Sequence, residues 1–284
     1  MATFTNQATL FYNGTSTVSN IATGELVNVL AATKTAVVPT YSPDCRVTYV
    51  ISIVNSGTTA YTNLTVTDNL GEYSFNMQNI TPLTYITGSV RYYVNGELQT
   101  QPTITTEKPL TIPGINVPAG GNAMIIYEAD VNEYANPTAD STIVNTATVT
   151  GAGVTEPLTA DETVTVSSDP ILSISKSMNP TSVAENGQIT YTFVISNSGN
   201  TEVTTGDTVS LTDTFDPKLS NLTVLLNGTP LIENTGYTYD TGSGLFTVPT
   251  GQISVPAATY EQNTATGAWT LTPGSAVLTV TGTV

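Results

Sequence analysis

The sequence has no histidine, one cysteine and few basic residues, and each shortage excludes a class of function. Without histidine, neither a His-based catalytic triad nor a His-containing metal site can form. Six Lys and Arg stand against 22 Asp and Glu, a formal net charge of −16, so the clustered cations that bind nucleic acid are missing. No apolar run is long enough to cross a bilayer. We therefore expect no turnover enzyme, no cofactor, no metal, no nucleic-acid partner and no membrane insertion.

The single cysteine, Cys45, excludes a disulfide within one chain. It lies in a turn-like stretch, Ser42-Pro-Asp-Cys-Arg46. Two interpretations stay open at this point. The simpler one is an exposed free thiol, and the other is an intermolecular disulfide between copies of the chain.

What the sequence does contain is a large supply of short alternating apolar and polar runs. Of its 284 residues, 39% are apolar and only 10% are charged. This length favours two domains, and the period-two alternation favours β-strands over amphipathic helices. We predict an all-β protein whose scattered acids form a repulsive, solubilising coat.

An internal repeat begins at Lys34. Lys34 and Tyr49 are 15 residues apart, and so are Lys176 and Tyr191. Further segments match in the same order: Tyr49–Gly57 with Tyr191–Gly199, Leu64–Asp68 with Val209–Asp213, the hairpin turns Asn95-Gly96 with Asn227-Gly228, Val117–Ala119 with Val255–Ala257, and Ala123–Val131 with Ala276–Val284. The repeat predicts two similar β-domains.

The opening residues match the end of a repeat unit, not its beginning. Phe4, Asn6, Ala8 and Leu10 share one strand face, and Asn6-Gln-Ala-Thr parallels Asn145-Thr-Ala-Thr inside the chain. The second copy reaches Val284 without a closing pair of this kind. We therefore expect N-terminal donor strands at 1–32, a complete domain at 33–168 and an incomplete acceptor domain at 169–284.

The repeated motifs resemble the bacterial repeat called domain of unknown function 11. They are Lys-Thr/Ser, Tyr-x-x-x-Ile-x-Asn-Ser-Gly, Thr-Asp and Asn-x-Ala-Thr, and they extend from Asn6 to Val284. The resemblance implies tandem immunoglobulin-like β-sandwiches in a surface protein, and it extends to subunits of spore appendages. Residues 2–20 lack the basic start and apolar core of a secretory signal. We expect an extracellular or spore-surface protein without a classical signal peptide.

An incomplete sandwich exposes a strand edge, which favours the addition of strands from elsewhere. Connectors of a few residues, at ~3.5 Å each, are too short for the donor strands to double back along their own chain. We expect the second domain to be completed by the N-terminal strands of a neighbouring subunit, with Phe4, Ala8 and Leu10 as anchors. Such head-to-tail contacts produce a self-assembling fibre. The alternative is a monomeric or anchored surface adhesion module.

Lys34, Asp68 and Asn145 have the parity of inward-facing residues. A buried lysine is costly unless it is paired or neutral, and burial lowers the pKa of a lysine. The trio resembles that of collagen-adhesin-like domains, which implies an isopeptide bond in which the lysine amine displaces ammonia from the asparagine. The simpler interpretation is a buried Lys–Asp ion pair with a hydrogen-bonded asparagine.

A second trio is divided between two parts of the sequence. Lys176 and Asp213 have the same inward parity in the second copy, and Asn6 has the asparagine motif at the start of the chain. If the strands are exchanged between subunits, Asn6 of one subunit meets Lys176 and Asp213 of the next. Asn263 is also followed by Thr-Ala-Thr and is the rival candidate, but it lies before the strand that matches Ala123–Val131 and so falls in the wrong element. We therefore expect a second isopeptide bond between subunits, with Asn6 as its asparagine.

Overall fold

The computed structural model describes residues 2–26 and 28–284, and every regular element in these ranges is a β-strand. The prediction of an all-β fold built from immunoglobulin-like sandwiches is confirmed. Within the same ranges, no helix is long and apolar enough to pass through a lipid bilayer.

The N-terminal residues form an antiparallel ribbon with two arms, each made of two short strands. The outgoing arm contains β1 (Ala2–Asn6) and β2 (Thr9–Tyr12), and the returning arm contains β3 (Thr15–Val18) and β4 (Ala22–Leu26). β1 pairs with β4 and β2 pairs with β3. The tip of the ribbon is Asn13-Gly14, with φ values of 47° and 81°. Positive φ at both positions is what a type I′ hairpin turn requires, and Asn-Gly adopts it at little cost.

The first domain packs two six-stranded sheets face to face. Its strands are β5 (Leu30–Ala36), β6 (Thr40–Tyr41), β7 (Arg46–Asn55), β8 (Tyr61–Asp68), β9 (Tyr73–Phe75), β10 (Gln78–Ile80), β11 (Leu83–Tyr85), β12 (Arg91–Val94), β13 (Glu97–Leu98), β14 (Thr106–Glu107), β15 (Leu110–Val117), β16 (Asn122–Val131), β17 (Thr142–Thr150) and β18 (Leu158–Val166). One sheet has the order β13-β12-β16-β7-β5, with β11 also on β16, and the other has the order β14-β15-β8-β17-β18-β6.

The alternation of the sequence builds the core of the first domain. In β7, Val47, Tyr49, Ile51 and Ile53 are buried on one face while intervening residues lie at least partly open to solvent. β5 begins at Leu30, which pairs with Asn55 of β7. Residues 30–32, which the sequence assigns to the donor strands, therefore pair within the first domain.

The second domain repeats this plan with fewer strands. They are β19 (Leu172–Asn179), β20 (Gln188–Asn197), β21 (Leu211–Thr214), β22 (Ser220–Leu226), β23 (Thr229–Pro230), β24 (Thr238–Tyr239), β25 (Leu245–Val248), β26 (Thr259–Gln262), β27 (Trp269–Thr272) and β28 (Gly274–Thr283). The five-stranded sheet has the order β19-β20-β28-β22-β23, and among the described residues the facing sheet consists of three strands in the order β21-β25-β24.

The pairing register shows that the two domains are copies. Leu30 pairs with Asn55 and Leu172 pairs with Asn197, so β5 and β19 hold the same place beside β7 and β20. In the first domain, β8 lies between β15 and β17. Its counterpart β21 has β25 on one edge, and among the described residues no strand pairs with its other edge.

The ribbon is an antiparallel hairpin like the closing hairpin of the first domain. Phe4 pairs with Gly24, and Ile143 pairs with Val164 in the β17–β18 hairpin; Phe4 and Ile143 each lie two residues before the asparagine of the shared motif. Between Asn6 and Thr9 the returning strand of the ribbon has one extra residue, which shifts the pairing by one. The ring of Phe4 lies over Gly24, where a Cβ atom would come within 2.4 Å of it.

The β26–β27 hairpin of the second domain forms hydrogen bonds with the first domain. The backbone N–H of Trp269 donates to the carbonyl of Glu133 at 2.8 Å, and Asn76 Nδ2 donates to the carbonyl of Thr264 at 2.6 Å. The first copy passes from Ala119 to β16 without such an insertion. The insertion therefore belongs to the junction between the two domains.

Candidate functional site

Three polar residues of the first domain meet in its interior. Lys34 lies on β5, Asp68 at the end of β8 and Asn145 on β17, and all three are buried. Lys34 Nζ donates to Asp68 Oδ2 at 2.6 Å, and neither side chain is exposed. β17 lies next to β8 with Ala147 opposite Asp68, which places Asn145 beside the ion pair on the same face.

Asn145 is held by two other groups. Its Nδ2 donates to the hydroxyl of Tyr127 at 2.8 Å, and its Oδ1 accepts the backbone N–H of Gly71 at 3.2 Å. Gly71 N–H also points at Asn69 Oδ1, at 3.0 Å. The structure thus contains the Lys–Asp pair and the hydrogen-bonded asparagine of the simpler interpretation.

Two tyrosine rings cover the amine of Lys34. Its Nζ lies 4.7 Å from the ring centroid of Tyr49 and 5.8 Å from that of Tyr127, and the two rings stack with centroids 5.5 Å apart. Burial lowers the pKa of Lys34 to about 8, although the carboxylate of Asp68 opposes this shift. Burial also raises the pKa of Tyr127 well above its ordinary value, and Asp68 raises it further. A neutral amine is therefore accessible near neutral pH.

The second domain contains the lysine and the acid but not the asparagine. Lys176 Nζ forms an ion pair with Asp213 and lies 4.6 Å from the ring centroid of Tyr191. The side chain of Lys176 is 40% exposed and that of Asp213 is 19% exposed. Asn6 lies on the ribbon, paired with Ala22. Within one chain, then, the structure does not bring the second trio together.

The inward face of β19 lies open to solvent. Leu172, Ile174 and Met178 share this face with Lys176, and they are 41%, 59% and 46% exposed. On β5 the equivalent Leu30 and Lys34 are each 4% exposed, because β17 and β18 cover them. We call this face of β19, together with the free edge of β21, the acceptor groove.

The ribbon exposes the apolar side chains that the sequence identifies as anchors. Phe4 and Leu10 are 58% and 66% exposed, and Ala8 is exposed as well. Other large apolar side chains of the ribbon are also exposed: Phe11, Tyr12, Val18 and Ile21. Across residues 2–26 and 28–284, the ribbon strands pair only with one another.

Two further candidates from the sequence lie away from these groups. Cys45 is half-buried against the first-domain core, and its Sγ accepts the N–H of Ser42 at 3.2 Å, so the thiol is not fully exposed as the simpler interpretation expects. An intermolecular disulfide stays a prediction. Asn263, which also precedes Thr-Ala-Thr, lies in the exposed turn of the β26–β27 hairpin, where its Oδ1 accepts two backbone N–H groups.

Tyr127 and Gly71 do not follow from the repeat motifs, yet they hold the asparagine. The motifs consist of residues present in both copies, whereas the position of Tyr127 differs between them. Tyr127 pairs with Tyr49, and its counterpart Val280 pairs with Tyr191. The inward parity of Tyr127 on β16 is the signal that could have identified it.

No protein family matches the sequence, and no curated protein matches it either. The resemblance to domain of unknown function 11 therefore stays a hypothesis.

Several solved structures resemble the fold at low identity. The major pilin subunit of Bacillus cereus matches at 12% identity and a TM-score of 0.36, over 96% of this chain and 73% of that one. The pilus backbone of Streptococcus pneumoniae matches at 11% and 0.34, over 86% of this chain and 55% of that one. A family 123 glycoside hydrolase from Clostridium perfringens matches at 12% and 0.31, over 48% of this chain and 27% of that one. With TM-scores below 0.5, these likenesses transfer no function to this chain.

Proposed function

We propose that this protein is the structural subunit of an extracellular fibre, in which the ribbon of one copy fills the acceptor groove of the next. The observation that carries the proposal is the exposed apolar face of β19, whose counterpart in the first domain is covered by a hairpin. A soluble protein rarely leaves such a face and a free strand edge together. Each subunit offers one ribbon and one groove, so the contact repeats head to tail.

The ribbon has the pattern of the hairpin that covers the first domain. By the shared motif, Phe4, Ala8 and Leu10 take the positions of Ile143, Ala147 and Val149, which are 3%, 0% and 0% exposed. Docking would bury apolar area on both partners at ~25 cal/mol per Å² and pair the backbone edge of β21. A one-residue slip would turn the anchors to solvent, which fixes the register.

Covalent bonds are the second part of the proposal. In the first domain, Lys34 would join Asn145 with Asp68 as the acid. Between subunits, Lys176 would join Asn6 of the incoming ribbon with Asp213 as the acid. The support is the buried Lys34–Asp68 pair beside Asn145 and the formed Lys176–Asp213 pair on the open face of β19. The fibre would lie outside the cell or on a spore, as the repeat motifs suggest.

Deletion of residues 2–24 tests the fibre. The full chain should form filaments in negative-stain images, and the deletion should give a soluble monomer by size-exclusion chromatography. As a matched pair, Phe4→Asp should block assembly and Thr5→Asp, on the opposite face of β1, should permit it. Filaments from the deleted chain would contradict strand exchange, and a full chain that stays monomeric would favour the adhesion module.

A further inference from the structure

We propose that Tyr127 is the catalytic proton donor that allows ammonia to leave Asn145 when the bond to Lys34 forms. This inference rests on the proposed isopeptide bond of the first domain. Its basis is position: the Tyr127 hydroxyl lies 2.8 Å from Asn145 Nδ2, the nitrogen that must depart. The hydroxyl of the stacked Tyr49 is buried and makes no well-aligned hydrogen bond, although Asn145 lies close enough to it to oppose the rise of its pKa that burial causes.

The direction of this hydrogen bond reverses during the reaction. In the folded protein the amide nitrogen donates to the phenol, because an amide nitrogen has no free lone pair. When Cγ of Asn145 becomes tetrahedral, Nδ2 gains a lone pair and can accept a proton through the same contact. Hydrogen-bond distance to the reacting atom is the first requirement of a general acid, and Tyr127 meets it.

Formation of the amide requires no proton donor or acceptor beyond the side chains of this site. Lys34 passes a proton to Asp68, and the neutral Nζ attacks Cγ of Asn145, forming the new C–N bond. Negative charge develops on Oδ1, towards which the N–H of Gly71 points at 3.2 Å. Tyr127 protonates Nδ2, the Cγ–Nδ2 bond breaks and ammonia leaves, and Asp68 reprotonates the phenol. The remaining extra proton on Nζ then returns to Asp68.

The second site lacks this donor. Val280 stands opposite Tyr191 where Tyr127 stands opposite Tyr49, although Lys176 and Asp213 are retained. An asparagine that arrives on the ribbon of a neighbour would therefore meet the lysine and the acid without the phenol. The bond between subunits should consequently form more slowly than the bond within the first domain.

The test is a time course of intact mass after cell-free synthesis of the full chain. The wild-type chain should lose the mass of one ammonia, about 17 Da. Tyr127→Phe should lose it at least ~100-fold more slowly, the scale of general acid catalysis. Tyr49→Phe removes the neighbouring hydroxyl from the same ring stack and should retain the wild-type rate.

A second comparison distinguishes an effect of each tyrosine hydroxyl on bond formation from its effect on the stability of the fold. In a Lys34→Ala background no bond can form, so thermal unfolding of Tyr127→Phe and Tyr49→Phe there reports the structural role of each hydroxyl alone. If Tyr127→Phe does not fold, 3-fluorotyrosine at position 127 retains the ring and makes the phenol more acidic. An unchanged rate with this residue overturns the assignment, and a changed rate supports it.

The mass measurements distinguish the role of Tyr127 from the existence of the Lys34–Asn145 bond. A wild-type chain that never loses the mass of ammonia removes the bond and the role of Tyr127 together. A wild-type chain and a folded Tyr127→Phe variant that lose it at equal rates overturn the role of Tyr127 alone and leave the bond in place.

Discussion

Leu30 and Leu172 occupy the same position on the first strand of their domains, yet Leu30 is 4% exposed and Leu172 is 41% exposed. Each pairs with the asparagine of an Asn-Ser-Gly motif, so the backbone around them is the same. The difference lies in what covers them. The β17–β18 hairpin packs over β5, and nothing within the described residues takes its place over β19.

The acceptor groove can be blocked without disturbing the isolated subunit. Ile174 lies on the groove face of β19 and is 59% exposed, so Ile174→Asp should change the stability of the monomer by no more than ~0.5 kcal/mol. It should nevertheless abolish filaments, because docking would bury an unpaired carboxylate. Ser175→Asp, on the other face of the same strand, is the matched control. Filaments of normal yield from Ile174→Asp would show that the ribbon docks elsewhere.

The bond within the first domain should be visible in the mass of the unfolded chain. We expect the denatured wild-type monomer to weigh about 17 Da less than its sequence, the mass of one ammonia. Lys34→Ala should abolish this deficit, whereas Lys108→Ala, at an exposed lysine, should retain it. If the wild-type chain has the full mass of its sequence, no amide has formed and Lys34 is joined to Asp68 by an ion pair alone.

Much of the fold follows from the sequence, because strand parity and Asn-Gly turns are local signals. The turns Asn95-Gly96 and Asn227-Gly228 close hairpins as predicted. Parity also indicates that Lys34 and Asp68 face inward, where they are buried. Parity can also indicate that Tyr127 faces inward, but it cannot predict the hydrogen bond to Asn145, because that contact depends on which side chains meet across two sheets.

The pH dependence of stability should reveal the cost of burying Lys34. Its pKa is lowered from 10.5 to about 8 in the folded chain. The unfolded chain therefore binds more protons between these values, and stability should rise with pH there, by up to about 1.4 kcal/mol per pH unit. Asn145→Ala prevents the bond and allows the measurement, by denaturant unfolding from pH ~8 to ~9.5, below the range where unfolded tyrosines ionise.

The control for this measurement removes the titrating pair. Lys34→Met with Asp68→Asn, placed in the same Asn145→Ala background, should show no such rise over the same pH range. A rise of equal size in both proteins would assign the effect to other groups.

Charge should control how filaments associate sideways. The net charge is −16 and the sequence pI is about 4.1, so filaments repel one another at neutral pH. Lowering the pH towards 4, or adding salt, should promote bundling, since the screening length falls to ~10 Å at 0.1 M salt. Turbidity and electron microscopy measure this. Bundling that responds to neither pH nor salt would exclude charge as the cause.

The last prediction concerns the bond between Lys176 of one subunit and Asn6 of the next. Lys176 and Asp213 already form an ion pair on the open face of β19, and Asn6 occupies the ribbon position that corresponds to Asn145. Docking of the ribbon would bury the pair, as the β17–β18 hairpin buries Lys34 and Asp68 in the first domain. Mature filaments boiled in detergent and reductant should then give a ladder on a gel.

A variant and a time course test the bond between subunits more specifically. Asn6→Ala should give filaments that dissociate into monomers on boiling, because strand exchange survives and the amide does not. Since Val280 replaces the phenol, the ladder should grow with the age of the filaments, whereas the loss of ammonia within the first domain should be complete sooner. Reductant excludes a disulfide through Cys45 as the source of the ladder. Clean dissociation of aged wild-type filaments into monomers would remove the covalent link but leave the exchanged strands as the joint between subunits.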